Sequence, residues 1–190
     1  MNTIVVNLFG EPSAGKSTAA MDITARLKRK GINAEYVSEF AKDKLYEQNP
    51  EVFKHQEYIF GKQSFKMGRV RDKVQVIVVD SPLILSIIYN SNKYLGDAFD
   101  QVVMNVFESY NNKNYLLVRK HNYETKGRFQ NEDEAAEVRK QLISELNKLG
   151  IAYETVTASE EICAKIADEI ESTIETELLK ELEECVVDEQ

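Results

Sequence analysis

Gly10-Glu11-Pro12-Ser13-Ala14-Gly15-Lys16-Ser17 is the stretch that decides the fold, because it matches the pattern G-x-x-x-x-G-K-[ST] of a phosphate-binding P-loop. The apolar, β-branched run before it, residues 4–9, predicts a buried strand. Residues 18–30 after it predict a helix, because their apolar side chains recur at helical spacing. The alternative is a chance glycine turn before a helix. Four specified positions at a strand-to-helix junction favour the P-loop.

The residue types in this loop suit the binding of a nucleoside triphosphate. Glycine at positions 10 and 15 permits unusual backbone angles and a close approach of the chain to phosphates. Successive backbone N–H groups at the positive end of the following helix would face those phosphates. The Lys16 ammonium would reach the β- and γ-phosphates, and the Ser17 hydroxyl would ligate Mg²⁺. We therefore expect ATP and Mg²⁺ as cofactors, with nucleotide contacts from Gly10, Pro12, Ser13, Ala14, Gly15, Lys16, Ser17, Thr18 and Arg119.

The charge of the chain is unevenly distributed along its length. The 190 residues, of which 43% are hydrophobic and 29% charged, are enough for one globular domain with a substantial core. The net charge is −8, but residues 160–190 contain twelve acidic residues and two lysines, so the rest of the chain carries +2. We predict a nearly neutral catalytic domain, residues 1–170, and an acidic helical extension, residues 171–190. The acidic balance is therefore no argument against an anionic substrate.

The sequence indicates a protein of the reducing cytoplasm. No apolar run approaches the length of a membrane span, and the chain begins directly with the predicted first strand. We therefore expect neither a secretory signal nor contact with a membrane. Cys163 and Cys185 have no metal-like spacing and no histidine nearby, which favours buried or unreactive thiols.

Glu39 is a candidate catalytic acid or base. It follows the second predicted strand, residues 34–38, at the strand's carboxyl end. In open α/β sheets, ligands bind at that edge, where a carboxylate could accept the proton of a substrate hydroxyl. The alternative is an acidic residue that favours a helix N-terminus through the helix dipole.

Asp80 is a candidate ligand for Mg²⁺. It ends residues 75–80, an unbroken β-branched run that predicts a buried strand of a parallel sheet. A carboxylate at the end of such a strand is the Walker B arrangement, in which it holds Mg²⁺ directly or through water. The alternative is an aspartate that caps the turn before Pro82, which itself suits an early helical position.

The segment between these two strands predicts helices. Residues 42–73 have helical character, with an interruption around residues 49–50. We expect apolar side chains such as Tyr58 and Phe65 to make contacts with the core. Gln63 could hydrogen-bond a base of the substrate, and the alternative is that it is simply solvated.

A basic, polar segment follows the fourth predicted strand, residues 115–119. Residues 120–131 have no apolar periodicity, and Arg119, Lys120, Lys126 and Arg128 fall within ten residues. A basic, glycine-bearing segment at this place is what a lid over phosphates would need. The alternative is a solvated loop.

The last predicted helix carries an apolar stripe that does not stay on one face. Its isoleucine and leucine residues recur every four positions, which exceeds the helical turn, so the stripe drifts around the axis. We expect the first half of the helix to dock on the sheet. From residue 171 onward, the stripe would face a partner, a second copy of the chain or solvent. Its members are Ile162, Ile166, Ile170, Ile174, Leu178 and Leu182.

The order of these elements predicts the fold class. Five strands that alternate with helices, a fifth being residues 151–156, predict a three-layer P-loop fold with a five-stranded parallel sheet. A guanine-reading N-K-x-D motif is absent from the sequence, which argues against a switch GTPase. The chain is also short for an oligomeric mechanical ATPase. A strand-2 acid, a Walker B aspartate and a basic lid favour a small kinase.

The motifs GEPSAGKS, SEFAKD, VVDSP and ETKGR, with LNKLGIAYETV after them, resemble the NadR-type nicotinamide riboside kinase domain. They are equally similar to related P-loop kinases and ATPases of bacteriophages. The resemblance spans about residues 3–170 and implies that ATP–Mg²⁺ phosphorylates a nucleoside-like substrate. It departs at Lys42, where the family often has arginine, so a bidentate contact there is not expected. The catalytic residues that it implies are Lys16, Glu39, Asp80 and Arg128, with Ser17 and Asp80 at the metal.

We therefore expect a phosphotransferase that moves the γ-phosphate of ATP to a hydroxyl or phosphate of a nucleoside- or nucleotide-like acceptor. Two alternatives stay open. One is a kinase that acts on hydroxymethylated bases in phage DNA. The other is a regulatory P-loop ATPase whose hydrolysis drives partner exchange, and a homo-oligomer through the C-terminal helix is possible with any of the three.

Overall fold

The computed structural model describes residues 3–90, 95–119 and 132–187. Its strands are β1 Ile4–Phe9, β2 Ala34–Val37, β3 Val76–Val79, β4 Asn111–Val118 and β5 Glu154–Thr157. Its helices are α1 Lys16–Arg29, α2 Phe40–Tyr46, α3 Gln56–Gly68, α4 Leu85–Ile88, α5 Gly96–Glu108, α6 Glu132–Lys148 and α7 Glu160–Val187, with a 3₁₀ helix at Pro50–Lys54.

The five strands form one parallel sheet in the order β2-β3-β1-β4-β5. Strand β1 lies in the centre, with Ile4 paired to Val76 on one side and to Asn111 on the other. All six residues of β1 are buried, which explains why this strand reads as a continuous apolar run. The predicted three-layer P-loop fold is confirmed.

Alternate side chains of the central strands enter two separate cores, one on each face of the sheet. Val6 and Val78 pack with helices α1 and α7 on one face. Val5 and Ile77 pack with helices α3, α5 and α6 on the other. The two-residue period of a strand therefore supplies both cores from one sheet.

Polar side chains extend β4 beyond its predicted start. The strand begins at Asn111, whereas its apolar run begins at Tyr115. The buried Asn7 amide on β1 donates to the side-chain oxygens of Asn112 at 2.8 Å and of Asn114 at 2.9 Å. An amide ladder between neighbouring strands thus replaces apolar contacts, and hydrophobicity alone does not reveal it.

Three other sequence expectations are wrong in detail. Tyr58 and Phe65 are 42% and 67% exposed, because the inner face of α3 is formed by other residues and these rings lie outside it. Pro82 lies in a turn, since α4 begins only at Leu85. Strand β5 begins at Glu154, three residues later than its apolar pattern starts.

Helix α7 changes its surroundings along its length. Ile166, Ile170 and Ile174 are buried in the same core as β1 and α1, whereas Leu178 and Leu182 are 44% and 64% exposed. The expectation for the first half of the helix is therefore correct, and the buried stripe continues as far as position 174. Among the described residues, no helix is both long and apolar enough to cross a bilayer.

Candidate active site

The loop between β1 and α1 has a backbone that requires glycine at its first position. Gly10 has a φ of 147°, and a Cβ there would lie 2.7 Å from the carbonyl oxygen of Leu117. Ser13 and Gly15 are left-handed as well, with φ of 69° and 88°. Backbone in which left-handed residues alternate with right-handed ones can turn neighbouring N–H groups toward one side and form a concavity that suits an anion. The backbone angles of this loop are of the kind that such an anion site uses.

Lys16 lies over this loop. Its ammonium donates to the Gly10 carbonyl oxygen at 2.8 Å and to the Glu11 carbonyl oxygen at 3.0 Å. The neighbouring Ser13 hydroxyl is buried and has no hydrogen-bond partner among the residues that the structure describes. A lysine and an unsatisfied hydroxyl at one loop fit an anionic ligand with several acceptor oxygens.

An ion pair inside the site was not predicted from the sequence. Glu11 occupies a variable position of the motif and is 2% exposed, and its carboxylate accepts from the Arg119 Nε at 3.1 Å. This contact ties the end of β4 to the P-loop. Arg119, a predicted nucleotide contact, therefore does lie at the loop. No sequence pattern marks Glu11 as its partner, because the two residues are 108 positions apart.

Asp80 is held in place at the end of β3. It is 2% exposed, and its Oδ2 accepts a hydrogen bond of 2.7 Å from the Tyr36 hydroxyl. Its Oδ1 accepts a hydrogen bond of 3.0 Å from the Glu39 backbone N–H. Burial and Asp80 raise the pKa of the Tyr36 phenol, which keeps its proton, and the Ser17 side chain lowers that pKa in turn.

Glu39 is a partly buried carboxylate beside these groups. Burial raises the pKa of its carboxyl most strongly, the Lys16 ammonium lowers it, and the Asp80 carboxylate raises it further. Glu39 also directly precedes α2, which fits the alternative of an acidic residue at a helix N-terminus. However, the first amide of that helix, Phe40 N–H, donates to the Gln63 side chain. The structure thus brings Glu39, Lys16 and Asp80 together at one edge of the sheet.

Helix α3 supports the junction between β2 and α2. Gln63 is 3% exposed and accepts from Phe40 N–H at 2.9 Å, while its Nε2 has no partner in the described part of the chain. The solvated alternative for Gln63 is therefore wrong. The Lys66 ammonium donates to the Ser38 carbonyl oxygen at 2.6 Å and to its hydroxyl at 2.9 Å. The Gln63 side chain, with its unsatisfied amide donor, therefore contacts Phe40, the residue that follows Glu39 in the chain.

The donor set at Ser17 and Asp80 fits Mg²⁺ in kind. A hydroxyl and a carboxylate are hard oxygen ligands, and Mg²⁺ usually takes only one or two protein ligands and completes its shell with phosphates and water. Within residues 3–90, 95–119 and 132–187, no group of three or more His, Cys, Asp or Glu side chains could hold a metal ion. A metal here would therefore depend on the nucleotide for further ligands.

Some predicted site residues do not join this cluster. Thr18 is exposed on the first turn of α1. Arg128 and the predicted lid, residues 120–131, lie outside the described residues. Cys163 is buried, and burial raises the pKa of its thiol to about 11, which agrees with an unreactive cysteine.

A family model described as an AAA domain matches residues 5–161, which is most of the chain. No curated protein matches the sequence. The matched residues run from β1 into the start of α7 and include every site residue described above.

Solved structures of similar fold include several kinases. Thymidylate kinase from Ehrlichia chaffeensis has a TM-score of 0.63 at 10% identity, over 90% of this chain and 99% of that one. The NadR protein in complex with NR has a TM-score of 0.55 at 17% identity, over 82% of this chain and 43% of that one. Deoxyadenosine kinase from M. mycoides with bound dCTP has a TM-score of 0.52 at 17% identity, over 90% and 99%.

At these identities, the structural likeness shows a shared fold and nothing further. The family match covers the P-loop, the central sheet and the carboxylates at its edge. On that match, this chain belongs to the AAA-domain family.

Proposed function

We propose that this protein is an ATP-dependent phosphotransferase whose acceptor is a hydroxyl or phosphate of a nucleoside- or nucleotide-like molecule. The observation that carries the proposal is the position of Glu39. Its backbone N–H donates to Asp80 at 3.0 Å, and its carboxyl is close enough to Lys16 for that ammonium to lower its pKa. A general base is useful only where the phosphoryl group is transferred, and the position of Glu39 beside Lys16 and Asp80 supports that role.

Phosphate binding, metal binding and proton transfer would fall to different residues of the site. The P-loop amides and the Lys16 ammonium would hold the phosphates, and Lys16 would exchange its bonds to two loop carbonyls for bonds to phosphate oxygens. Ser17 and Asp80 would hold Mg²⁺, which supplies neutralisation of the phosphate charge when bound. Glu39 would orient the acceptor hydroxyl and accept its proton. In-line positioning would supply most of the rate.

The acceptor would lie on the β2–α2 side of the site. Gln63 contributes a buried amide donor there, which suits a carbonyl, hydroxyl or phosphate oxygen of the acceptor. Arg128 would close over the transferring phosphoryl group. The similarity in fold to thymidylate kinase and deoxyadenosine kinase supports an acceptor of the nucleoside or nucleotide class.

The test is transfer of ³²P from [γ-³²P]ATP to nucleosides, nucleotides, nicotinamide riboside and duplex DNA with hydroxymethylated bases. The full chain should label one small-molecule class. Glu39→Gln should lower the transfer rate by about 10²–10⁴-fold, the range for loss of a general base, with ATP affinity retained. Asp43→Asn is the matched control, because Asp43 is an exposed carboxylate on α2 that also acts on the Glu39 charge.

Three results would count against the proposal. Steady ATP hydrolysis without any labelled acceptor would favour the regulatory ATPase. Labelled DNA, with duplex binding that weakens steeply as salt rises, would favour the DNA-directed kinase. Equal transfer rates for Glu39→Gln and the wild type would remove Glu39 from the mechanism.

A further inference from the structure

The Tyr36 hydroxyl contacts a carboxylate that no sequence pattern connects to it. Tyr36 lies on β2, and Asp80 lies directly after β3. The tyrosine donates to Asp80 Oδ2 at 2.7 Å. Its ring packs against the core shared by α1 and α7. Tyr36 thus joins the end of β3 to that core.

The chemistry of the two groups determines the direction of this bond. A carboxylate oxygen only accepts hydrogen bonds, so the single proton of the Tyr36 hydroxyl is committed to Asp80.

This bond has a consequence for a cation. The Asp80 carboxylate is fixed at both oxygens, by the Tyr36 hydroxyl at 2.7 Å and by the Glu39 N–H at 3.0 Å. Each of these oxygens keeps further acceptor capacity, because a carboxylate offers about four lone-pair sites. This potential ligand is thus held in one orientation before any cation binds.

We propose that Tyr36 is a positioning residue of the metal site, whose hydroxyl orients the Asp80 carboxylate toward Mg²⁺. The inference rests on the proposed function, because it takes Asp80 as a ligand. Tyr36 acts through that carboxylate. Its removal should weaken the contribution of Mg²⁺ to ATP binding and leave the contribution of the P-loop amides and Lys16 unchanged.

The experiment measures ATP affinity of the full chain by calorimetry, once in EDTA and once with saturating Mg²⁺. The ratio of the two dissociation constants is the gain from the metal. In Tyr36→Phe this gain should fall about tenfold, the scale for loss of one hydrogen bond to a charged group. Affinity in EDTA should equal that of the wild type. Tyr115→Phe is the matched control, because it removes a buried tyrosine hydroxyl from β4 on the same face of the sheet.

Asp80→Asn distinguishes the metal role of Asp80 from the positioning role of Tyr36. If it leaves the gain from Mg²⁺ intact, the metal assignment of the proposed function is wrong, and the Tyr36 inference is wrong with it. If Asp80→Asn lowers the gain and Tyr36→Phe does not, only the Tyr36 inference is overturned. In the double variant, Tyr36→Phe should cost nothing beyond Asp80→Asn, because it acts through that carboxylate.

A purely structural role for Tyr36 predicts a different pattern. Loss of packing would lower the thermal stability and the ATP affinity in EDTA, and the ratio with and without Mg²⁺ would not change. Tyr36→Met is a second variant without the hydroxyl, judged by the same ratio, in case the phenylalanine variant does not fold. A wild-type ratio in the variant that folds overturns the proposal.

Discussion

The P-loop and the carboxylate cluster lie at the same edge of the sheet, but their contacts span very different distances along the chain. Lys16 donates to carbonyl oxygens five and six residues before it. Asp80 accepts from groups that are 41 and 44 residues away. The loop of the first site is one continuous stretch of sequence, which the Glu11–Arg119 ion pair ties to β4, and the second site exists only after β2 and β3 have paired.

This difference predicts how each region responds to change. The P-loop depends mainly on backbone conformation, which glycine and a local turn determine, so its binding function should be most sensitive to changes within it. The carboxylate cluster depends on the register that places Tyr36 opposite Val78 in the sheet. Changes at several separate positions should therefore alter its chemistry without abolishing nucleotide binding.

The largest effect is expected from Lys16→Ala. Lys16 is the one basic side chain of the motif, and in the proposed function it holds the phosphates, so ATP turnover should be abolished while the fold is retained. Turnover is measured by phosphate release, and folding by circular dichroism. Lys28→Ala, on the same helix and paired with Glu35, is the control. Wild-type turnover in Lys16→Ala would contradict the P-loop assignment.

Arg128→Ala should have the next largest effect, as a test of the lid expected from the sequence. If its charge acts mainly in the transition state, kcat and kcat/KM should fall together by at least about a hundredfold, or roughly 3 kcal/mol. ATP affinity without acceptor should hardly change. Arg29→Ala, an exposed arginine on α1, is the control. A wild-type rate would make Arg128 a solvated residue and Arg119 the next candidate.

Glu39→Gln should change the pH dependence of stability. Burial raises the pKa of the Glu39 carboxyl in the folded protein above its ordinary value of 4.5, so the folded state binds the proton more tightly than the unfolded state. The free energy of unfolding therefore falls as pH rises through this window, and the neutral glutamine avoids that loss. The variant should be the more stable protein at pH 8, and the difference should vanish below pH 4.

The measurement is urea unfolding in EDTA and without nucleotide, at pH values from 4 to 8. Asp43→Asn, which replaces an exposed carboxylate of helix α2, should follow the wild-type curve closely. A stability difference between Glu39→Gln and the wild type that does not depend on pH would contradict a raised pKa.

The smallest effect on the nucleotide site is expected from shortening α7, which touches neither region. Truncation after Glu177 keeps Ile174 in the core and keeps the hydrogen bond from Asn111 to Glu177. Truncation after Ile170 removes both and should lower stability by about 2–5 kcal/mol, the range for loss of a large buried side chain. Both shortened chains should bind ATP as the full chain does.

Light scattering on the same three proteins tests the predicted role of the acidic extension. A smaller mass after truncation at Glu177 would assign assembly to the exposed Leu178, Leu179 and Leu182. Loss of ATP binding in a folded truncation would show that the extension belongs to the nucleotide site, against the predicted boundary at residue 170.

Hydrophobic periodicity and local turn residues were enough to predict much of the fold. The runs at Ile4–Phe9 and Val76–Val79, the P-loop between β1 and α1, and the amphipathic helices all follow from residues close in sequence. In the candidate site, the sequence could predict Lys16, Ser17, Glu39 and Asp80, because each follows a strand whose apolar run marks its position. The sequence could not predict the acceptor, since no local pattern encodes its shape.

Sequence alone thus determined the P-loop, the parallel α/β class and the positions at which carboxylates end strands. Only the tertiary structure decided that Glu11 pairs with Arg119, that Gln63 is buried beside Phe40, and that Tyr36 donates to Asp80. The physical reason is the range of the interactions. Backbone preference and hydrophobic period act over a few residues, whereas a buried hydrogen bond between distant residues requires the order and register of the whole sheet.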